Sequence, residues 1–277
     1  MSKVWIITGC STGFGRELAL AVLKKGDKVA VTARNIEAVQ DIVLPYPQQA
    51  IALTLDVTNQ QHIKDAVAAT LAQFGQIDVL VNNAGIGYFG AVEESEDAEV
   101  RRMFDINVFG LGHTTAAVLP TFRAQKSGHV VNISSIGGLR SFPAVGYYNA
   151  TKYAVDGLSE ALAKESAHLG IKVTIVCPSG FRTDWAGRSA NDSKITIPDY
   201  TSTAEANKNT IRGNSGQQPG DPALAALAII DAVYSPQPPL RLLLGAAAYK
   251  GAKAKLLELD KDFEDWKETS IGADRPL

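Results

Sequence analysis

Short apolar runs alternate with helix-forming segments along most of this chain. Seven six-residue runs consist mainly of aliphatic and β-branched side chains, namely KVWIIT, KVAVTA, AIALTL, IDVLVN, HVVNIS, KVTIVC and LRLLLG. Runs that are apolar on both faces are typical of strands buried between two layers of helices. Helical spacing of apolar residues lies between them, for example in QQHIKDAVAATLAQFG. The alternation predicts an α/β fold, a seven-stranded parallel sheet doubly wound by helices on both faces.

No linker divides the chain. Its 277 residues contain no Pro/Ser-rich stretch and no repeat, so we predict one domain over residues 1–277. Residues 185–220 differ from the rest because they are polar, Gly-rich and weakly periodic, and a segment of that length is either mobile or functional. Residues 246–277 are predicted to form an amphipathic helical extension, packed on the domain or on another subunit.

Charge and hydropathy narrow the function classes. The chain has 27 Lys and Arg against 29 Asp and Glu, which offers no basic field for a nucleic acid. No apolar run approaches the roughly 20 residues that a membrane span needs, and the N-terminus enters a strand without a signal-peptide pattern. We therefore expect a cytoplasmic protein that binds neither nucleic acid nor membrane.

Cysteine and histidine give no sign of a metal. Cys10 and Cys177 fit no metal-binding or redox spacing, and we expect both to be small buried residues. None of the four histidines has a second ligand at metal-binding spacing. The sequence therefore predicts no metal site.

Three glycines follow the first apolar run, in ITGCSTGFGRE. Gly9, Gly13 and Gly15 allow a tight turn and a close approach of the backbone to a ligand. The helix that starts here directs N–H groups and a partial positive charge at the turn, which suits a phosphate. An ordinary strand–helix turn is the alternative, and GxxxGxG differs from the usual GxGxxG fingerprint. We favour a dinucleotide site, and hence a sheet of the Rossmann type.

The end of the second apolar run bears on the choice of dinucleotide. Folds of this kind often carry an acid here to bind the ribose 2′-OH, but this chain has Ala33 followed by Arg34. A guanidinium group suits a 2′-phosphate. A solvated loop arginine is the alternative, and Arg16 could either assist or face solvent. The sequence predicts that NADP(H) is preferred and that NAD(H) is possible.

Polar residues also follow the third and fourth runs. Asp56 lies at the carboxyl end of the third predicted strand, where ligands bind in such sheets. Its alternative role is to cap the next helix, for which Asn59 competes. After the fourth run, NNAG at 82–85 offers amides beside small residues that leave room for a flat ligand, although a simple turn is the alternative.

Two adjacent tyrosines pose a choice in GYYNATKYAVDGLSEALAKE. Tyr148 and Lys152 are four residues apart and share a helix face, whereas Tyr147 faces Thr151 and lacks a cation. A phenol has a pKa near ~10, and one ammonium at ~4 Å supplies about 4 kcal/mol at an effective dielectric of ~20. We therefore predict that Lys152 lowers the pKa of Tyr148 for acid–base work. Strand alternation turns one of the adjacent Ser134 and Ser135 toward the same cleft and the other toward the packed helices.

Five motifs together resemble the short-chain dehydrogenase/reductase family, in its single-domain branch. They are TGCSTGFG at the glycine turn, NNAG at 82–85, INV around Asn107, NISS at 132–135 and YNATK at 148–152. Ser135 precedes Tyr148 by thirteen residues, the spacing of the family. The resemblance covers roughly residues 3–245. Within the family, the chain is most similar to the 17β-hydroxysteroid and retinol dehydrogenase-like members.

This resemblance implies a catalytic tetrad of Asn107, Ser135, Tyr148 and Lys152. In the family the tyrosine exchanges a proton with the substrate oxygen, the serine binds that oxygen, the lysine binds the nicotinamide ribose and the asparagine holds a water. The implied substrate is a small carbonyl or alcohol, and the implied assembly is a homodimer or homotetramer. The implied cofactor-binding residues are Gly9, Ser11, Thr12, Gly13, Phe14, Gly15, Arg34, Asp56, Val57, Asn83, Ala84, Gly85, Tyr148, Lys152, Pro178, Phe181 and Thr183.

The chain departs from the family pattern at two places. In CPSGFRTD, Ser179 replaces a glycine, while Thr183 keeps the position that contacts the nicotinamide carboxamide. Thr12 stands where many NADP-preferring members carry a basic residue, so Arg34 would act largely alone. Residues 185–220 are similar in place to the substrate lid of the family, and we expect them to cover the cleft.

Two other functions stay open. A dinucleotide-binding regulator without turnover could use the same fold, although it would not need the tetrad. An epimerase or dehydratase of the longer family branch usually carries GxxGxxG and a longer substrate domain, and this chain has neither. The leading hypothesis is an NADP(H)-preferring carbonyl reductase or alcohol dehydrogenase.

Overall fold

A single parallel sheet lies at the centre of the molecule. The structure, a computed structural model, describes residues 2–275. The sheet strands are β1 (Val4–Ile7), β2 (Lys28–Ala33), β3 (Ala50–Thr54), β4 (Val79–Asn82), β6 (Gly128–Ile133), β7 (Ile171–Pro178) and β9 (Arg241–Leu244), and two shorter strands are β5 (Gly87–Phe89) and β8 (Ala190–Asp192). All seven strands predicted from the apolar runs are present.

Ten α-helices are found among the described residues. They are α1 (Gly13–Lys25), α2 (Gln40–Val43), α3 (Gln60–Phe74), α4 (Asp97–Phe104), α5 (Leu111–Gln125), α6 (Gly146–Ser166), α7 (Ala206–Gly213), α8 (Pro222–Tyr234), α9 (Ala246–Asp265) and α10 (Lys267–Ile271). A π-helical segment, Asp105–Gly110, joins α4 to α5.

The order of the sheet is β3-β2-β1-β4-β6-β7-β9, and every pairing is parallel. The chain winds outward from β1 to β3 and then returns to continue on the other side through β4. The reversal between β1 and β4 opens a crevice at the carboxyl ends of the strands, where ligands bind in such folds. This is the predicted doubly wound Rossmann-type architecture.

Helices cover both faces of the sheet. On one face, α1, α2 and α8 pack over the apolar side chains of β1, β2 and β4, with Leu18, Val22 and Ile229 fully buried. On the other face, α3, α5 and α6 pack over Ile6, Leu80 and neighbouring side chains. Burial on both sides explains why the strands are apolar throughout instead of alternating with polar residues.

A small second sheet was not predicted. Strand β5 pairs in parallel with β8, which joins the loop after β4 to the segment 185–220. Each strand is only three residues long, so neither gives a periodic signal in the sequence. The second sheet nevertheless fixes residues 185–220 over the carboxyl edge of the main sheet.

Candidate active site

A deep cleft of about 1490 Å³ lies at the carboxyl ends of the strands. One wall is formed by the turns after β1, β2 and β4, another by α6 and the loop after β6, and part of the remainder by residues 184–219. All the predicted site residues line it except Gly15 and Asn107, which lie directly behind the lining. The fold therefore gathers residues from nine separate stretches of sequence into one site.

The glycine turn needs its glycines for geometric reasons. Gly9 has φ +72° and Gly13 has φ +59°, a backbone region that side chains disfavour. A Cβ atom at Gly15 would lie 2.5 Å from the Gly9 carbonyl O. Thr12 precedes α1 without capping it through its side chain, and the positive end of α1 faces the cleft. The turn therefore fits a phosphate group.

Asn83 ties the glycine turn to the next loop. Its Nδ2 donates to the carbonyl oxygens of Thr8 and Gly9, both at 2.9 Å. In return, the Thr8 Oγ1 accepts from the N–H groups of Asn83 and Ala84 at 2.9 and 3.0 Å. NNAG thus does more than form a turn, because it locks the carboxyl ends of β1 and β4 together.

The ends of β2 and β3 supply opposite charges. Ala33 is buried, and exposed Arg34 lines the cleft. Burial raises the pKa of Asp56, but hydrogen bonds from Thr58, together with the charge of Arg34, outweigh burial and leave the pKa below its usual value. Asn59, not Asp56, caps α3. Asp56 is therefore an ionised cleft residue, as the functional interpretation predicts.

Arg16 takes no part in this arrangement. Its guanidinium pairs with Asp41 across the start of α1 and α2, and it does not line the cleft. Of the two arginines considered from the sequence, only Arg34 is placed to meet a ligand.

Tyr148, Ser135 and Lys152 converge on one wall of the cleft. Tyr148 lies in the first turn of α6, beside the Ser135 side chain, and packs its ring against Trp185 with centroids 4.8 Å apart. Lys152 lies one turn later and donates from Nζ to the Ile133 carbonyl O at 2.8 Å. Tyr147 does not line the cleft, so the structure selects Tyr148 as the tyrosine of the site.

The electrostatics of this pair differ from the sequence prediction. Burial raises the pKa of Tyr148 to about 12, and the neighbouring Ser135 hydroxyl offsets only part of that rise. The predicted lowering by Lys152 was wrong for this arrangement, because the Nζ is held by Ile133 and lies 5.6 Å from the ring centroid. A high pKa keeps the Tyr148 phenol protonated at neutral pH, which suits a proton donor.

A buried carboxylate lies behind Lys152. Asp156 is one turn further along α6 and accepts from the Ser134 Oγ at 2.5 Å. Burial lowers the pKa of Lys152 to about 8, and the charge of Asp156 acts in the opposite direction. Burial likewise raises the pKa of Asp156, against the hydrogen bond from Ser134 and the charges of Arg241 and Lys152. As predicted, Ser134 faces the packed helix while Ser135 faces the cleft.

Asn107 is buried beside the cleft in the π-helical segment. Its Oδ1 accepts from the Ile86 N–H at 2.9 Å, and its Nδ2 donates to the Ile86 carbonyl O and to the Thr151 Oγ1. Asn107 therefore positions the loop that follows NNAG, and the water-holding role implied by the resemblance stays a prediction.

The loop after β7 completes the cofactor side of the cleft. The ring of Phe181 packs edge-on against Phe14 at 5.0 Å, and Thr183 faces Gly13 across the opening. Ser179, where the family pattern has glycine, donates from its hydroxyl to the Leu244 carbonyl O at 3.3 Å. The substitution is accommodated by this bond and leaves Thr183 in the lining.

A sequence profile for short chain dehydrogenases matches residues 3–194. The protein belongs to this family. A short-chain dehydrogenase from Streptomyces avermitilis has a closely similar structure, with a TM-score of 0.93 at 43% identity over 99% of this chain and 100% of that one. The oxidoreductase BOA17 of Botryotinia fuckeliana is 37% identical over 99% of this chain and 100% of its own length.

A third relative was solved with a cofactor. ElxO with NADP bound matches 90% of this short-chain dehydrogenase and 100% of its own chain, at 28% identity and a TM-score of 0.74. The family, the glycine turn and the cleft together identify the chain as an oxidoreductase with a nicotinamide dinucleotide site.

Several residues of the site were missed by sequence reasoning. Asp156 follows Lys152 at the same four-residue spacing that singled out Tyr148, so that signal could have found it. Arg212, which bonds the carbonyl oxygens of Gly187 and Ala190 at 2.9 and 2.8 Å, holds the cover of the cleft together. No sequence pattern marks Arg212, because its partners lie twenty or more residues away.

Proposed function

We propose that this protein is an NADP(H)-preferring oxidoreductase that transfers hydride between nicotinamide and a carbonyl or secondary alcohol. The observation that carries the proposal is the shared cleft: Ser135, Tyr148 and Lys152 form one wall, and the glycine turn and Arg34 form another. A phenol, a hydroxyl and an ammonium beside a dinucleotide site are the groups that carbonyl reduction needs.

Hydride is the chemistry that a bound nicotinamide supplies here. The protein's own residues bind and protonate the substrate oxygen: Ser135 and Tyr148 line the same wall of the cleft, so both hydroxyls can meet one carbonyl oxygen. Tyr148 then donates its proton as negative charge develops on that oxygen, and in alcohol oxidation it accepts the proton. Lys152, with a pKa of about 8, stays largely protonated at neutral pH, and its ammonium is the group that would bind the nicotinamide ribose.

The preference for NADP(H) rests on Arg34. This side chain is exposed at the mouth of the cleft, and the preceding Ala33 offers no carboxylate to a ribose 2′-OH. Among the described residues, Arg34 takes part in no salt bridge, so the N–H groups of its guanidinium are available to a 2′-phosphate. NADP in the related ElxO is consistent with this assignment.

The substrate side of the cleft supports a medium-sized ketone or alcohol. Phe142, Trp185 and Ile211 provide apolar surface, and Asn207 and Thr210 add polar groups. This lining is consistent with the similarity to hydroxysteroid and retinol dehydrogenase-like members, and it names no individual compound. A cytoplasmic location and a homodimer or homotetramer are further parts of the proposal. No helix within residues 2–275 is long and apolar enough to cross a membrane.

The test is a scan of NADPH oxidation with ketones, aldehydes and steroids as substrates. The Tyr148→Phe variant is the control for oxidation of NADPH that does not depend on catalysis by the protein. We expect turnover of at least one compound by the wild type and little by the variant. Tight NADPH binding without turnover of any compound would favour the regulator instead. Calorimetric titration with NADPH and NADH tests the cofactor separately, and equal affinities would contradict the role of Arg34.

A further inference from the structure

One aromatic side chain of the segment 185–220 lies directly beside the tyrosine of the site. The indole of Trp185 packs on the Tyr148 ring, with centroids 4.8 Å apart and ring planes at 53°. Trp185 also lines the cleft. Because the proposed substrate oxygen meets the Tyr148 hydroxyl, the carbon atoms attached to that oxygen lie within reach of the indole. Trp185 therefore borders the proposed reaction centre.

The indole of Trp185 is held in place by the residues behind it. Its Cζ2 would lie 2.7 Å from a Cβ atom at Gly87, so the ring occupies the space that a side chain there would fill. The fully buried Phe89 packs edge-to-face with the indole at 5.7 Å between centroids. The guanidinium of Arg212 lies 4.7 Å from the centroid of the Phe89 ring. A side chain fixed in this way loses little conformational freedom when a ligand packs on it, so the indole is a preformed surface.

The apolar lining around Tyr148 is mainly aromatic. Phe142, Tyr148 and Trp185 belong to one hydrophobic cluster with Ile211, and all four line the cleft. Aromatic side chains pair with other flat rings in offset or edge-to-face contacts, and such pairs contribute more than the area they bury. A saturated ring is puckered and directs axial hydrogens at a flat neighbour, so it gains the buried area without this extra contribution.

We propose that Trp185 is a specificity-determining residue that selects substrates with a flat, unsaturated ring close to the carbonyl group. The inference rests on the proposed function, because it takes the reacting oxygen to lie at Tyr148 and Ser135. Trp185 has no part in the proton transfer, so its contribution is to bind and orient the ring. The substrate class is thereby narrowed from a medium-sized ketone or alcohol to an aromatic or conjugated cyclic one.

Two other roles of Trp185 lead to different outcomes. An indole that only blocked the empty cleft would have to leave before any substrate entered, so its removal would raise kcat/KM for every ketone. An indole that only held the segment 185–220 in place would affect flat and puckered ketones equally. Only stacking on the substrate ring makes the effect of removal depend on whether that ring is flat.

The first experiment compares two ketones with the same carbon skeleton, 2-tetralone and 2-decalone. Neither carbonyl is conjugated with a ring, so their intrinsic reactivities are similar. We expect Trp185→Leu to reduce the ratio of kcat/KM for 2-tetralone to that for 2-decalone by about threefold to tenfold. Trp185→Phe should keep most of the ratio. Trp266→Leu is the matched control, because Trp266 is 66% exposed and lies outside the cleft lining.

The two kcat/KM values are measured on one protein sample, so a loss of folded protein cancels in their ratio. An unchanged ratio in Trp185→Leu, including an equal gain or loss with both ketones, would overturn the proposal and leave the proposed function standing. A wild type that turns over no compound would contradict the proposed function instead, and a second measurement then tests Trp185 without any reaction.

This second measurement is calorimetry on the NADP⁺-loaded protein with 2-naphthol and with its saturated counterpart, decahydro-2-naphthol. We expect 2-naphthol to bind more tightly, and we expect Trp185→Leu to reduce the difference by about threefold to tenfold while Trp266→Leu keeps it. Equal affinities of the two compounds for the wild type, or a difference that Trp185→Leu leaves unchanged, would overturn the proposal.

Discussion

The two halves of the cleft are held by different kinds of interaction. On the cofactor side, the backbone itself makes the site: Gly9 has a positive φ, Gly15 has no room for a Cβ atom, and Asn83 bonds two main-chain carbonyls. These groups lie at the ends of strands that are buried on both faces. The cofactor side therefore cannot shift unless the sheet is disturbed.

The cover formed by residues 185–220 is held by the three-residue pairing of β5 with β8 and otherwise by side chains. Arg212 bonds four acceptors within the cover, among them Ala190 and Asp192. The cover is attached to the loop after β5 by the Glu94 carboxylate, which accepts from the Ile197 N–H at 2.8 Å, and by the Tyr200 hydroxyl, which donates to Glu93. A few polar contacts can break locally at a small cost.

This difference suggests separate roles for the two halves of the cleft: the cofactor side serves the hydride chemistry common to the family, and the cover serves the choice of substrate. We propose that the rigid half presents the dinucleotide and the catalytic groups, and that the cover adapts to the substrate without loss of cofactor geometry. We infer that substitutions on the cofactor side abolish binding or turnover, whereas substitutions in the cover change access and order. Five measurements, from the largest expected effect to the smallest, test this inference.

Tyr148 lies where the two halves meet, in contact with Ser135 on one side and Trp185 on the other. Tyr148→Phe keeps the ring and removes the exchangeable proton, so the chemical step should slow by about 10²–10⁴-fold while NADPH binding is nearly unchanged. Tyr147→Phe is the matched control and should be close to wild type in kcat. An inactive Tyr147→Phe beside an active Tyr148→Phe would refute the assignment.

A methyl group at Gly15 should damage the rigid half. The added Cβ would lie 2.4 Å from the Asn83 Nδ2 and 2.5 Å from the Gly9 carbonyl O. Overpacking of this kind costs about 1–3 kcal/mol, so NADPH affinity should fall about tenfold or more. Gly157→Ala, with no atom within 4 Å of its Cβ, should bind NADPH normally. Equal affinities for the two variants in calorimetry would show that the turn is more adaptable than its geometry indicates.

Cofactor preference should respond to the end of β2. Ala33→Asp/Arg34→Ala adds a carboxylate for the ribose 2′-OH and removes the cation for the 2′-phosphate. A hydrogen bond to a charged group contributes about 1.5–3 kcal/mol, so the ratio of NADPH to NADH affinity should fall about tenfold or more. Arg16→Ala is the control, because Arg16 pairs with Asp41 away from the cleft. A similar change in both variants would point to a general effect of charge.

The cover should open more readily when its internal bonds are removed. Arg212→Met should speed limited proteolysis within residues 185–220 by about tenfold, from the loss of charge-assisted hydrogen bonds, and NADPH affinity should be unchanged. Arg101→Met removes an exposed helical ion pair and should have no effect. We also expect cofactor with substrate to protect the wild-type segment. Cleavage that no ligand alters, in active enzyme, would refute the gating role.

Asp156 should tune Lys152 by a smaller amount. The carboxylate raises the pKa of Lys152, whose folded value is about 8, so Asp156→Asn should lower it by about one unit. Lys152 would then lose its proton at lower pH, and the high-pH limit of activity would move down. Carbon-13 NMR of the lysine side chains reads this titration without any turnover. Glu165→Gln, exposed on the same helix, should leave it unchanged, and an unchanged pKa in Asp156→Asn would contradict the assignment.

Much of the architecture follows from the sequence alone. Seven runs apolar on both faces predicted the seven strands between helix layers, and the glycines after the first run favoured a dinucleotide site over an ordinary turn. The choice of Tyr148 over Tyr147 followed from helical spacing, because residues four apart share a face. Periodicity and spacing are local properties, so a single chain suffices to reveal them.

Tertiary structure decided what depends on burial and on distant partners. The direction of the pKa shift of Tyr148 was predicted wrongly, because spacing places Lys152 nearby but does not show that Ile133 holds its ammonium or that burial dominates the phenol. The β5–β8 sheet and the bonds of Arg212 join segments far apart in the chain. Such properties depend on which surfaces come into contact in the folded chain, and local sequence patterns contain little information about contacts between distant segments.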